Sequence, residues 1–149
     1  MHNLFDSHTY SAVIDRIHKL TPEQKALWGK MTVAQMLAHS VKAFRVPLSE
    51  KKLPRLFIGY ILGPLLKTKL YNETPWRKNL PTSPEFVIKE ERNFQEEKQN
   101  LIDHVTRFYS FGPMSIPQTT HPLFGELTPE QWGKSMYKHL DHHLQQFGV

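Results

Sequence analysis

Two of the nine histidines, His139 and His143, stand four residues apart close to the C-terminal end of the chain. On a helical wheel at about 100° per residue with Trp132 as origin, they fall about 20° to either side of it. Met136 and Phe147 share that stripe, Gln146 borders it, His142 lies at its edge, and Asp141 is on the opposite side. Two neutral imidazoles on an apolar stripe are costly unless their nitrogens find partners. One divalent cation would satisfy both, and an i,i+4 pair is how one helix face brings two nitrogens to one ion. Hydrogen bonds between the rings, or to buried water, would serve equally, and spacing alone leaves both readings open. The run His139-Leu140-Asp141-His142-His143 is not a zincin motif, because no Glu directly follows the first His.

A third ligand would come from another helix at the same depth. His39 meets that requirement: it lies mid-way along a second amphipathic segment, on the side of Met36, Ser40 and Ala43. A core or capping histidine is its alternative role. Three His ligands would leave a fourth position for water or substrate, the catalytic rather than the structural pattern of a zinc site. Such a site has no negative ligand, so a bound metal keeps its full charge and can lower the pKa of a water or an external thiol. Hydrolysis also wants a general base. The carboxylates placed on the same helix are Asp141, facing away, and Glu130, at its start, which favours thiol activation. Gln35 and Gln146 are candidate supporting contacts to the ligands or substrate. His121 precedes the last helix by about seven residues and reads as a loop or capping residue, while His2, His8, His18 and His104 read as surface residues.

The elements that must position these groups are helical, with no convincing strand pattern. A first helix spans about Ser7 to Leu20, capped by Asp6 or Ser7. A second opens at Thr32 with a capping box to Gln35 and stops at Pro47. A long third begins at Ser83-Pro84 and ends at Gly112-Pro113. The fourth opens at Thr128-Pro129-Glu130-Gln131 and runs to about Phe147, roughly 30 Å. The connection over 47–82 holds the apolar run Leu56–Leu66, too short to span a bilayer and interrupted by Gly59, Gly63 and Pro64. Its readings are a short helix packed on the others or at a dimer interface, a lid, or a membrane-surface contact with a basic rim. Four helices with one long crossover predict a four-helix bundle in up-down-down-up order, one domain over 1–149.

With 149 residues, 39% hydrophobic and 22% charged, the chain excludes disorder and fibrous repeats. It has no cysteine, which removes disulfides, thiolate metal sites and a cysteine nucleophile. The first ten residues carry no apolar signal segment, so a reducing cytoplasm is expected. Net charge is +5, yet residues 51–78 hold seven basic residues against Glu73 alone, leaving −1 for the rest. Positive charge confined to one inter-element segment speaks against nucleic-acid binding.

Three stretches together resemble the DinB/YfiT-like superfamily: Trp28-Gly-Lys-Met-Thr-Val-Ala-Gln-Met-Leu-Ala-His39, His121-Pro-Leu-Phe-Gly-Glu-Leu-Thr-Pro-Glu-Gln-Trp132, and His139-Leu-Asp-His-His143-Leu-Gln-Gln-Phe147. The resemblance is weakest over 47–82. It implies an up-down-down-up four-helix bundle, often dimeric, and a divalent metal such as Zn2+ or Ni2+ held by His39, His139 and His143. It also implies metal-dependent transferase chemistry with a low-molecular-weight thiol as cosubstrate; hydrolase chemistry on a small molecule is the other reaction that a three-His site would allow. A chain without cysteine suits a thiol supplied from outside. The alternative is a non-catalytic metal- or ligand-binding stress-response module acting as a homodimer.

Overall fold

The computed structural model describes residues 2–116 and 120–149. It is all-α in class, with five helices: α1 (Ser7–Lys19), α2 (Val33–Arg45), α3 (Phe57–Leu66), α4 (Phe94–Ser115) and α5 (Pro129–Gln146). Each long helix starts where a side chain can absorb an orphan amide. Asp6 accepts from Thr9 N at α1. Complete capping boxes open α2 (Thr32, Gln35) and α5 (Thr128, Gln131). α2 packs along α4, and α5 touches α1, α2 and α4. Their shared core includes Ile17, Met36, Leu37, Phe44, Leu101, Phe108, Trp132, Leu140 and Leu144, all fully buried or nearly so.

The third helix of the sequence reading starts ten residues late. Ser83-Pro84 opens only a 3-10 turn, Pro84–Phe86, and Asn93 caps α4 by accepting from Glu96 N. Tertiary hydrogen bonds explain the interruption. α2 presents Gln35, His39 and Lys42 on one face, and they take up the carbonyls of the intervening chain. Gln35 Nε2 donates to Glu90 O, His39 Nδ1 to Phe86 O, and Lys42 Nζ to Glu85 O and Val87 O. A continuous helix would have spent the Phe86 carbonyl on its own ladder. At the other end the helical backbone breaks at Gly112 (φ 65°, ψ 172°), one residue before Pro113.

The expectation of no strands is also corrected. β1 (Thr120–His121) and β2 (Gly125–Glu126) form a minimal antiparallel hairpin. Two residues per strand are too few for an alternating pattern to register. His121 organises the turn: its Nδ1 accepts from the amides of Leu123 and Phe124.

The 47–82 connection contains α3 and a 3-10 turn, Lys67–Leu70. α3 lies against the hairpin through Gly59 and Gly63, where an added Cβ would sit 2.5 and 2.6 Å from the Leu123 carbonyl. Among the described residues no helix is long and apolar enough to cross a membrane.

Candidate metal centre

α2 and α5 bring His39, His139 and His143 together, one ring nitrogen from each lying within 4.8 Å of the other two. His39 Nε2 is 3.1 Å from His139 Nε2, and the ring centroids of the three pairs are 4.7 to 5.1 Å apart. These two rods cross at this level because α5 buries Met136, Leu140 and Leu144 against the core to which α2 contributes Met36, Leu37 and Val41.

Hydrogen bonds at the back of two rings fix their tautomers. His39 Nδ1–H donates to the Phe86 carbonyl at 2.9 Å, so its Nε2 carries a lone pair. His143 Nδ1–H donates to Gln146 Oε1 at 2.8 Å, which likewise frees its Nε2. Gln146 is oriented in turn, its Nε2 donating to the Trp28 carbonyl at 2.7 Å. That carbonyl is presented by a turn at Gly29, whose φ of +82° and close approach to Gln146 Nε2 (2.7 Å from an added Cβ) exclude a side chain. Each of these is the arrangement by which an outer partner orients a metal-ligating imidazole.

His139 lacks such a partner: its Nδ1 is buried and makes no hydrogen bond. Should Nε2–H donate to His39 Nε2, Nδ1 is left bare. Should the proton sit on Nδ1, two lone pairs face each other at 3.1 Å. Neither tautomer satisfies every nitrogen of the trio; a cation could take the three converging lone pairs at once, with the proton of His139 then on Nδ1. Nitrogens bound to one tetrahedral zinc are about 3.3 Å apart, so the closest pair is already near ligand spacing and a pair at the 4.8 Å limit must draw in by about 1.5 Å. The donor set fits a divalent metal of borderline softness.

Electrostatics agree with neutral ligands. Burial lowers the pKa of His39, pushes that of His143 down to about 3, and holds His139 well below the usual histidine range, with the neighbouring imidazoles adding to the last two effects. His39 and His143 are buried and His139 is half-buried, with its Nδ1 dry. Among the described residues no carboxylate joins the trio. Asp141 is held by Arg16 at 2.7 Å and accepts from Gln145.

The two glutamines named from sequence part company. Gln146 touches His143. The side chain of Gln35 is committed elsewhere, to the Thr32 amide and the Glu90 carbonyl. Beside the trio, His142 (5.2 Å from His143 between centroids) faces a cleft of about 130 Å³ that is also lined by Trp28, Trp76, Lys78 and Lys138. Trp76 lies 6.1 Å from His139. The buried Lys138 ties down the segment that carries Trp76, donating to the carbonyls of Lys69 and Asn72 and to Asn72 Oδ1. Neither tryptophan nor Lys138 is apparent in the sequence: the tryptophans come from connections without periodicity, and Lys138 lies off the apolar stripe.

Fold and geometry define a mostly helical protein in which two helices assemble three imidazoles that could hold a metal ion. The chain belongs to the family described as a protein of unknown function, DUF1569, whose model matches residues 3–148. No curated protein and no solved structure matches it.

Proposed function

We propose that the protein is a metal-dependent enzyme of the DinB/YfiT type, acting in the cytoplasm on a small molecule through Zn2+ or Ni2+ held by His39, His139 and His143. One observation carries this reading: two of the three rings are locked by Phe86 O and Gln146 with their free nitrogens turned toward a common point. Mutual packing of α1, α2, α4 and α5 supports a four-helix-bundle arrangement for the same reading.

When bound, the metal would supply Lewis acidity undiminished by any anionic ligand, lowering the pKa of water or of an external thiol. The residues of the chain hold and orient it. Gln146 keeps the His143 proton on Nδ1, Phe86 O does the same for His39, and low pKa values keep all three rings neutral. Thiol transfer is favoured over hydrolysis because the nearest carboxylate on α5, Asp141, is occupied by Arg16. A low-molecular-weight thiol would be the nucleophile and an electrophilic small molecule the acceptor.

Elemental analysis of the as-isolated protein, followed by conjugation of glutathione to an aryl halide, tests the proposal. About one metal per chain and metal-dependent conjugation are expected. Protein without metal, whose melting temperature added Zn2+ leaves unchanged, would end it. A second reading, a metal-holding module without turnover, draws support from the cleft: His142, and none of the three clustered rings, lines it. Stoichiometric metal with no conjugation of any thiol would select that reading.

A further inference from the structure

Of the eleven large hydrophobic side chains exposed among the described residues, seven fall between Leu56 and Leu65. Phe57, Ile61 and Leu65 repeat every four residues along α3 and are 82, 62 and 73% exposed, with Ile58 and Tyr60 flanking them. This concentration differs from the scattered apolar residues normal on a protein surface.

The inward side of α3 is already occupied. Gly59 and Gly63 sit on the Leu123 carbonyl. Leu56 N donates to Pro122 O, and the Arg55 guanidinium bridges His121 O and Gly59 O. The helix is thus a platform fixed to the hairpin, with its apolar row directed outward.

Charge distinguishes the candidate occupants. Residues 51–69 contain five basic residues and no acidic one, with Lys51, Lys52 and Arg55 before α3 and Lys67 and Lys69 after it. Lys52 and Lys69 are exposed. A second copy of the chain docking on this face would set two net-basic segments against each other, even with Lys51 paired to Glu85, which is repulsive. An anionic lipid surface reverses the sign of that interaction and also accepts the apolar row. An interfacial helix ordinarily combines an apolar face with a Lys/Arg border. Here the protein itself covers the side that a free helix would have to make polar. Ten residues are about 15 Å of helix, enough to lie in the interface and too short to cross it.

We propose that the outward face of α3, bordered by Lys52 and Lys69, docks the protein peripherally on an anionic membrane surface.

Co-sedimentation of the full chain with vesicles of phosphatidylcholine alone, and of equimolar phosphatidylcholine and phosphatidylserine, tests this. Binding to the mixed vesicles only, weakening as salt rises, is expected. Lys52→Glu with Lys69→Glu should reduce it about tenfold or more. Phe57→Ser with Ile61→Ser should do the same at an unchanged melting temperature, because both side chains are exposed. As the chain has no cysteine, Ile58→Cys can be labelled uniquely with a polarity-sensitive dye. Its emission should shift to the blue on the mixed vesicles, while the same dye at Ser11→Cys on α1 should not respond. Equal binding to both vesicles, or binding to neither, overturns the proposal. So does a vesicle-free dimer abolished by the serine pair, which would make the face an interface between copies. An equal dye response to polyglutamate overturns it in favour of an acidic protein partner.

Discussion

Two histidine sites in this molecule are alike in being desolvated and differ in what their nitrogens meet. At the hairpin, His121 is half-buried and its pKa is lowered to about 4 by desolvation, yet its Nδ1 accepts two backbone amides. At the crossing of α2 and α5, three rings, two buried and one half-buried, direct nitrogens at one another, and one ring nitrogen has no partner among the described residues. Desolvation and a depressed pKa are therefore common to a turn-building histidine and a candidate ligand. The discriminating feature is the destination of each lone pair. His121 is satisfied by the chain, whereas the trio is arranged so that it could hold a cation.

The largest test of that contrast is removal of a ring. In His39→Ala or His143→Ala, metal content measured by elemental analysis should fall from about one per chain to background. Wild-type protein at about a hundredfold excess of Zn2+ over Kd should gain about 5–10 °C in melting temperature, and both variants should lose this gain. His121→Ala should retain metal while costing about 1–3 kcal/mol in urea unfolding, because two amides lose their acceptor. A smaller effect is expected from Gln146→Leu. Metal affinity should drop about 10- to 100-fold in a competition titration, with the ligands themselves intact.

The pH response sharpens the same contrast. Because the folded pKa of His121 lies near 4, below its ordinary 6.5, the folded chain binds fewer protons between those values than the unfolded chain. Its contribution to stability is complete above about pH 6.5 and disappears as pH falls through about 4. His121→Asn retains an acceptor for the two amides without titrating there, so its unfolding free energy should depend less steeply on pH across that window. The smallest effect belongs to a half-buried histidine near the surface. His104 contacts Glu50 at 3.2 Å, and His104→Ala should change stability by about 1 kcal/mol or less.

Much of this arrangement was legible in residue order. The α5 stripe and the capping boxes of α2 and α5 followed from periodicity and from side chains with one obvious use. Convergence of His39 with His139 and His143 also followed, because positions on two amphipathic faces translate into depth in a packed core. The start of α4 did not. Ser83-Pro84 is a genuine start signal, but it is spent on one 3-10 turn once α2 captures the carbonyls of Glu85, Phe86 and Val87. Nor did the partners behind the rings: a backbone carbonyl such as Phe86 O or Trp28 O leaves no trace in residue identity. Gln35 shows the converse error. It is a candidate supporting contact in the sequence, but its side chain is committed to the Thr32 amide and the Glu90 carbonyl instead.

The bare Nδ1 of His139 has a kinetic meaning. His39 and His143 are bolted from behind, so neither can swing without breaking a bond; His139 has no such bolt and alone of the three is half-buried rather than buried. Ion exchange would then proceed by this ring acting as the turnstile. A chelator should strip the protein faster when His139 is loosened further, while tightening its back side would slow both loading and loss and leave the equilibrium little altered.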